Sequence, residues 1–132
     1  MRLVLPWPPS ANTYWRHPTT GALAGRHLIS EDGRKYRKAV GELVRANRQA
    51  VGLRARLRIE LVACPPDLRR RDLDNVLKGF LDALQHAGVY EDDSQIDDLR
   101  IMRGPVTKGG RVDVLVEPMP VKDAREVWRE LV

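Results

Sequence analysis

The sequence contains one cysteine, Cys64, among its 132 residues. A single cysteine can form neither an intrachain disulfide nor a cysteine-rich zinc site. No apolar run approaches the roughly 20 residues that a membrane-spanning helix needs, and the run at the N-terminus is too short for a signal peptide. These absences predict a soluble, cytoplasmic protein without a membrane partner.

A residue arrangement typical of nucleophilic enzymes is also missing. The histidines His17, His27 and His86 are dispersed, and no serine or cysteine lies in a triad-like context. Internal repeats, low-complexity tracts and linkers are absent as well. We therefore assign no chemistry to the histidines. The length and the 42% of hydrophobic residues predict one globular domain, residues 1–132.

Positive charge is in excess, because 23 lysines and arginines stand against 18 aspartates and glutamates, which gives a net charge of +5. Such an excess favours a polyanionic partner such as nucleic acid. Solubility alone is the alternative explanation for a charge of this size. The placement of the charges along the chain must therefore decide between the two.

Hydrophobic periodicity predicts an α+β fold in which a mixed or largely antiparallel sheet packs against helices, in the order β-α-β-α-β-β-α. In chain order we expect a strand at 2–6, a helix from Ser30 to Gly52, a strand at 53–63, a helix at 73–87, strands at 96–104 and 111–117, and a helix that ends near Leu131.

Local signals refine these elements. Three prolines exclude a helix from the segment Pro6–Arg16. Asp72 is the expected N-cap of the 73–87 helix, and Gly88 is its expected stop. The two glycines within Thr107–Arg111 predict a hairpin turn that pairs the strands on either side of it.

Two carboxylates, Asp72 and Asp74, straddle the start of the 73–87 helix. Negative charge at this place is favourable against the helix dipole by roughly 0.3–1 kcal/mol for each exposed residue. Asp74 and Lys78 also have the spacing of an ordinary surface ion pair. Helix capping and charge pairing alone would therefore account for these residues.

Three observations favour a metal site instead. An Asp-x-Asp pair at a helix start allows two carboxylates to project side by side, a further acidic group follows at 91–93, and Asn75 and Lys78 add polar groups at the same helix end. Carboxylate oxygens suit Mg²⁺ or Mn²⁺, which would activate water and neutralise the charge that develops on a phosphate. Lys78 would stabilise the pentacovalent phosphate or position the attacking water.

The metal hypothesis sets a condition on the fold. A helix from Asp72 to Ala87 is about 22 Å long, and Asp93 follows its far end. The residues from Gly88 to Asp93 can cover most of that length when extended. Asp93 can therefore approach Asp74 only if the chain turns straight back along the helix; otherwise a second subunit must supply it.

Basic residues surround this acidic group. Arg69, Arg70 and Arg71 stand immediately before it, where they would bind phosphate beside the metal or only compensate the aspartates. Lys108 and Arg111 flank the Gly-Gly turn, where they would form a finger on DNA or be ordinary loop charges. We take these five residues as candidate DNA-binding residues.

Two further surfaces have more than one interpretation. The first is the polar face of the strand at 53–63, which carries Arg54, Arg56 and Arg58. It would follow a DNA backbone or form an ordinary solvated face. The second is the set of aromatic residues in the N-terminal loop, Trp7, Tyr14 and Trp15. These would stack on unpaired bases or pack the loop against the core.

The chain resembles the RusA family of Holliday junction resolvases. The resemblance is carried by Arg71-Asp72-Leu-Asp74-Asn75-Val-Leu-Lys78, Asp82-Ala-Leu, Ala87-Gly88-Val and Asp92-Asp93-Ser-Gln-Ile, with Leu5–Trp15 before them and Pro105–Arg111 after them. The match spans nearly the whole chain in the family's order. Its central motif is far more specific than an isolated Asp-x-Asp pair.

The resemblance implies a RusA-like fold and a homodimeric endodeoxyribonuclease that uses Mg²⁺ or Mn²⁺. Such an enzyme cuts four-way DNA junctions by paired symmetric nicks, in DNA recombination and repair. Carried over by motif, the catalytic residues are Asp72, Asp74, Lys78 and Asp93, and the three aspartates are the metal ligands. The run Arg69–Arg71 corresponds to the junction-binding region of the family.

Two other functions stay open at this point. A non-catalytic basic DNA-binding module could keep the same fold, and a metal-dependent enzyme could act on small phosphorylated substrates. The complete set of acidic and lysine residues favours a nuclease over the first, and the extended basic surface favours it over the second. Paired nicks in a near-symmetric junction also call for two identical sites, and hence a homodimer.

Overall fold

The computed structural model describes residues 1–120 and 124–132. In chain order its elements are β1 (Arg2–Pro6), α1 (Ala11–Tyr14), β2 (Trp15–Arg16), β3 (Leu28–Ile29), α2 (Glu31–Ala46), β4 (Leu57–Cys64), α3 (Asp74–His86), a 3₁₀ turn (Asp93–Gln95), β5 (Ile96–Arg103), β6 (Arg111–Pro118) and α4 (Ala124–Leu131). The predicted α+β class and the order of the main elements are confirmed. The short elements α1, β2 and β3 are additional.

The main sheet has four strands in the order β1-β6-β4-β5. β6 is antiparallel to β1 and β4, whereas β4 is parallel to β5, so the predicted mixed sheet is confirmed. The predicted hairpin is wrong, because β4 separates β5 from β6. The Thr107 N–H donates to the Pro65 carbonyl at 2.9 Å. The loop therefore crosses the end of β4 and brings β6 to the other edge of that strand.

Helices α2 and α3 cover one face of the sheet. Alternate residues of β4 are buried under them, as the period of two requires: these are Leu57, Ile59, Leu61 and Ala63. The helices contribute buried residues at helical spacing, namely Tyr36, Val40 and Val44 from α2 and Val76, Phe80 and Leu84 from α3. This packing fixes the position of α3, the helix whose start carries the acidic pair.

Ser30 begins α2, as predicted. Its Oγ accepts a hydrogen bond from the Gly33 N–H at 3.0 Å, and its hydroxyl donates to the Tyr14 carbonyl at 2.9 Å. The side chain therefore caps α2 and also joins this helix to the end of α1.

Ser30→Ala is expected to lower the free energy of unfolding by about 1 kcal/mol, because it leaves the first turn of α2 without its cap. Urea unfolding followed by circular dichroism measures the change. Thr20→Ala, in the exposed loop between β2 and β3, is the matched control and should change stability by less than about 0.5 kcal/mol. Equal effects of the two substitutions would contradict the capping role.

Three local predictions are wrong. The helix expected to run from Ser30 to Gly52 already ends at Ala46. Ala11–Tyr14 forms a helical turn, because the prolines all precede Ser10, whose carbonyl is free to accept a hydrogen bond from the Tyr14 N–H at 2.8 Å. The strand expected from residue 53 begins only at Leu57, and Leu53 forms no more than an isolated bridge with Tyr90. The loop and the strand are thus shorter than their sequence patterns indicate.

The predicted C-terminal helix is confirmed as α4, although residues 121–123 before it lie outside the described part of the chain. Trp128 and Leu131 of this helix are 68% and 78% exposed. Among the described residues, no helix has both the length and the apolar character needed to cross a membrane.

Candidate active site

Asp72 and Asp74 lie where the loop after β4 enters α3, and both are exposed. The prediction that Asp72 is the N-cap is wrong, because Leu73 occupies the cap position and no side chain caps the helix. The Asn75 N–H donates instead to the backbone carbonyl of Asp72 at 3.2 Å. The backbone carbonyl of Asp72 therefore accepts a hydrogen bond at the start of α3, and the Asp72 carboxylate makes no capping hydrogen bond.

Lys78 lies one turn beyond Asp74 on α3 and is also exposed. Within residues 1–120 and 124–132, no hydrogen bond or ion pair engages the Lys78 ammonium or the carboxylates of Asp72 and Asp74. The ordinary ion pair between Asp74 and Lys78 is therefore not formed. Since neither capping nor pairing occupies these three side chains, they are available to a ligand.

Asp67 organises the arginines that precede the acidic pair. Arg71 Nη1 lies 2.7 Å from Asp67 Oδ1, and Arg69 Nε lies 3.8 Å from Asp67 Oδ2. Hydrogen bonds from the Arg71 guanidinium and the Arg69 N–H lower the pKa of Asp67 to about 2. Arg70 is exposed and makes no ion pair within the described ranges. The acidic partner of Arg69 and Arg71 is therefore Asp67, and none of the three arginines forms an ion pair with Asp72.

Asp92 and Asp93 have different environments at the 3₁₀ turn. Asp92 Oδ1 accepts a hydrogen bond from the Ser94 N–H at 2.8 Å, and the Asp92 N–H donates to Gln95 Oε1 at 2.8 Å. This reciprocal capping occupies Asp92 in holding the turn. Asp93 is therefore the member of the pair whose carboxylate does not cap the turn.

The chain turns back along α3 before it reaches Asp93. The Tyr90 hydroxyl lies 2.6 Å from the Leu81 carbonyl oxygen and 2.8 Å from Asp93 Oδ1, so its single proton is shared between two acceptors. Partial burial raises the pKa of Asp93 against the opposing hydrogen bond from Tyr90, and the negative charge of Asp82 adds to the rise. Asp93 therefore lies beside the middle of α3.

Asp93 and Asp74 lie at different positions along the axis of α3. Leu81 lies seven positions after Asp74, which corresponds to roughly 10 Å of helix. In the part of the chain that the structure describes, no group of three or more His, Cys, Asp or Glu side chains is placed to hold a metal ion. The structure thus keeps Asp72 and Asp74 at the helix start and Asp93 farther along it. The site shared by all three aspartates stays a prediction.

Sequence reasoning missed a polar network beneath this surface. The Tyr14 hydroxyl donates to Asp82 Oδ2, and Arg37 Nη2 lies 2.8 Å from the same oxygen. Tyr14 is fully buried, burial raises its pKa, and its ring packs against Gly79. Tyr14 is therefore unable to stack on bases. The available signal was the position of Asp82, one turn beyond Lys78 on α3.

The other basic residues differ in whether a carboxylate holds them. Arg54, Arg56 and Arg58 form ion pairs with Glu91, Asp97 and Asp98, respectively. Arg111 donates two hydrogen bonds to the Asp113 carboxylate. Lys108 is exposed on the Gly-Gly turn and makes no ion pair with any described residue. The ion pairs of the first three arginines favour an ordinary solvated face at 54–58. Of the two residues at the Gly-Gly turn, Lys108 is therefore the more available for binding DNA.

The family model described as Endodeoxyribonuclease RusA matches residues 6–117. This chain belongs to the RusA family. The resemblance carried by the sequence motifs is thereby confirmed, and the RusA match includes every residue assigned to the acidic site. Residues 118–132, which include α4, lie outside it.

Named relatives extend the RusA match. The crossover junction endodeoxyribonuclease rusA of Enterobacteria phage HK97 is 48% identical over 115 residues, which are 87% of this chain and 92% of the relative. The proteins of that name from Enterobacteria phage 82 and Escherichia coli (strain K12) are 42% and 41% identical over 117 residues, which are 89% of this chain and 93% of each relative. The chain is therefore similar to these RusA proteins over most of their length.

Proposed function

We propose that this RusA-family protein is a metal-dependent endodeoxyribonuclease that resolves four-way DNA junctions by paired symmetric nicks, in recombination and repair. The observation that carries the proposal is the pair of exposed carboxylates, Asp72 and Asp74, which no described residue engages and which follow a run of arginines. The family supports the same activity, since its named relatives are crossover junction endodeoxyribonucleases. We assign catalysis to Asp72, Asp74, Lys78 and Asp93.

The donor groups at this site fit a divalent cation such as Mg²⁺ or Mn²⁺. Mg²⁺ is commonly held by one or two carboxylates together with substrate phosphates. Asp72 and Asp74 would supply two such carboxylates. Asp93, from the same chain or from a second subunit, is the proposed third ligand. When bound, the cation would activate water and neutralise negative charge on the phosphate.

The remaining residues bind and orient the DNA strand. Lys78 lies one turn from Asp74 and has no acidic partner among the described residues, so its ammonium can stabilise negative charge on the scissile phosphate. We propose that Arg69, Arg70 and Arg71 bind the adjoining phosphates. Lys108 and Arg111 on the Gly-Gly turn would contact the DNA farther from the cut.

We also propose that the protein is a homodimer. Paired nicks in opposed strands require two identical sites related by a two-fold axis. The face of the sheet away from α2 and α3 carries apolar residues that the described chain leaves open, and Val4 and Met102 there are 59% and 45% exposed. This face is the candidate dimer surface, since the buried residues of α3 belong to the core.

The test is the cutting of a labelled synthetic four-way junction. We expect symmetric nicks with Mg²⁺ and no nicks when EDTA removes it, because without the cation nothing at the site would lower the pKa of water and offset the repulsion between the carboxylates and the phosphate. Denaturing gels report the nick positions, and mobility-shift gels in EDTA report binding. Linear duplex DNA of the same sequence is the matched control substrate. Binding without cutting at any Mg²⁺ or Mn²⁺ concentration would support a non-catalytic DNA-binding module.

A further inference from the structure

We infer that a cavity beside Asp72 receives one unstacked base of the DNA strand that is cut. This inference rests on the proposed nuclease function and adds a binding site for a nucleobase to it. The cavity, called the Trp7 cavity here, has a volume of about 570 Å³ and is open to solvent. Its lining residues include Trp7, Asn12, Arg70, Arg71, Asp72 and Asn75. A volume of this size falls in the range of small-molecule sites.

Trp7 is held firmly at the edge of this cavity. The Pro6 carbonyl accepts a hydrogen bond from the Tyr36 hydroxyl at 2.8 Å, which fixes the backbone before the ring. The backbone of Gly110 packs so closely that a Cβ there would lie 2.7 Å from Trp7 Cβ. The Arg71 guanidinium lies over the ring, with Cζ 5.8 Å from the ring centre, and the indole also packs against the core. These contacts hold the ring in one orientation, so that its solvent-accessible part is a preorganised surface on which a base can stack beside Arg71.

Two carboxamides give the cavity the means to recognise a base edge. Asn12 is exposed on α1, and Asn75 is half-buried in the first turn of α3. Within the described residues, neither side-chain amide makes a hydrogen bond. Each amide offers both donors and an acceptor, and this combination matches the edges of unpaired bases. The cavity therefore joins an aromatic face to hydrogen-bonding groups that no residue of the described chain satisfies.

The position of the cavity relative to Asp72 argues for a base rather than a phosphate. A second cavity of about 550 Å³ shares Arg70, Arg71 and Asp72 as lining and takes other walls from the loop after β5. A scissile phosphate bound beside Asp72 would thus have one cavity on each side for its neighbouring nucleotides. The Trp7 cavity is the one of these two whose lining includes an aromatic ring and carboxamides. We therefore assign the base to it, directly next to the scissile phosphate.

A double-substitution experiment tests this assignment. Trp7→Ala is compared with wild type on junctions in which each nucleotide around the nick is replaced, one at a time, by an abasic site. On the intact junction, Trp7→Ala should lower kcat/KM by about 5- to 150-fold, the worth of one stacked base. At one position the abasic site should slow wild type by a similar factor, and Trp7→Ala should add no further loss there. Independent losses at every position would overturn the inference.

Three further variants keep the test decisive. Trp7→Phe retains an aromatic face and should recover most of the activity. Trp128→Ala removes the exposed tryptophan of α4 and should cut like wild type at every position. Asn12→Ala, at an exposed site that folding does not require, should change the base preference at the same single position, and an unchanged preference there would overturn the assignment if Trp7→Ala does not fold. If wild type cuts no junction at all, the proposed function itself fails; additive losses in an active enzyme reject the base cavity alone.

Discussion

Asp74→Asn is expected to lower the rate of junction cutting by about 10³-fold and to leave junction binding within a few-fold of wild type. The amide keeps the size of the side chain, and no described residue bonds to the Asp74 carboxylate, so the fold should not change. The amide is a much poorer ligand for a hard cation, and several kcal/mol of lost charge stabilisation corresponds to this rate factor. Single-turnover nicking and mobility shifts in EDTA measure the two quantities.

Asp32→Asn is the matched control for this substitution. Asp32 is also an exposed aspartate in the first turn of a long helix, α2, so the chemical change and the loss of charge near a helix dipole are the same. We expect wild-type cutting from this variant. Wild-type cutting by Asp74→Asn would place the metal elsewhere, and a parallel loss of binding would assign Asp74 to the DNA surface instead of to catalysis.

Asp82→Ala is expected to destabilise the protein by about 3 kcal/mol. The substitution removes the carboxylate shared by Tyr14 and Arg37, so the buried hydroxyl and the guanidinium, which is only 21% exposed, keep only the hydrogen bond from Arg37 Nε to the Tyr14 oxygen at 3.1 Å. Stranding a largely buried charge costs more than the net worth of the pair. The free energy of unfolding in urea, measured by tryptophan fluorescence, gives the change.

Two comparisons make the stability prediction specific. Tyr14→Phe removes only the hydroxyl and leaves the pair of Arg37 and Asp82 intact, so it should cost about 1 kcal/mol. Asp97→Ala breaks a more exposed pair with Arg56 and should cost less than about 1 kcal/mol. If Asp82→Ala were no more destabilising than Asp97→Ala, the network would contribute no more to the free energy of unfolding than an exposed ion pair does.

The elements of the fold were largely predictable, because β4, β6, α2 and α3 each bury one regular face. Period-two burial in β4 and helical spacing in α2 and α3 are local properties of the sequence. The pairing of strands is not local. The Gly-Gly turn does exist, with φ of 79° at Gly109 and 72° at Gly110, but β4 has hydrogen-bonding edges on both sides and takes the place that a hairpin partner would have.

The start of the candidate site was predictable for a similar reason, since Asp72, Asp74 and Lys78 lie within one short motif. The remainder depends on contacts between distant residues. The network under the site joins residues 68 and 45 positions apart in the chain, and no periodicity reports such a contact. The location of Asp93 likewise depends on the Tyr90 hydroxyl, whose two acceptors only a three-dimensional structure can identify.

The order of strands has a consequence for synthesis on the ribosome. β1 is an edge strand that pairs with β6 in the main sheet, and the Met1 ammonium donates to the Val116 carbonyl at 3.0 Å. Translation delivers roughly 5–20 residues each second, so β1 must wait for β6 to be synthesised. Leu3 and Leu5, which are buried in the finished sheet, stay uncovered during that interval. We expect the sheet of the nascent chain to close only after β6 has emerged.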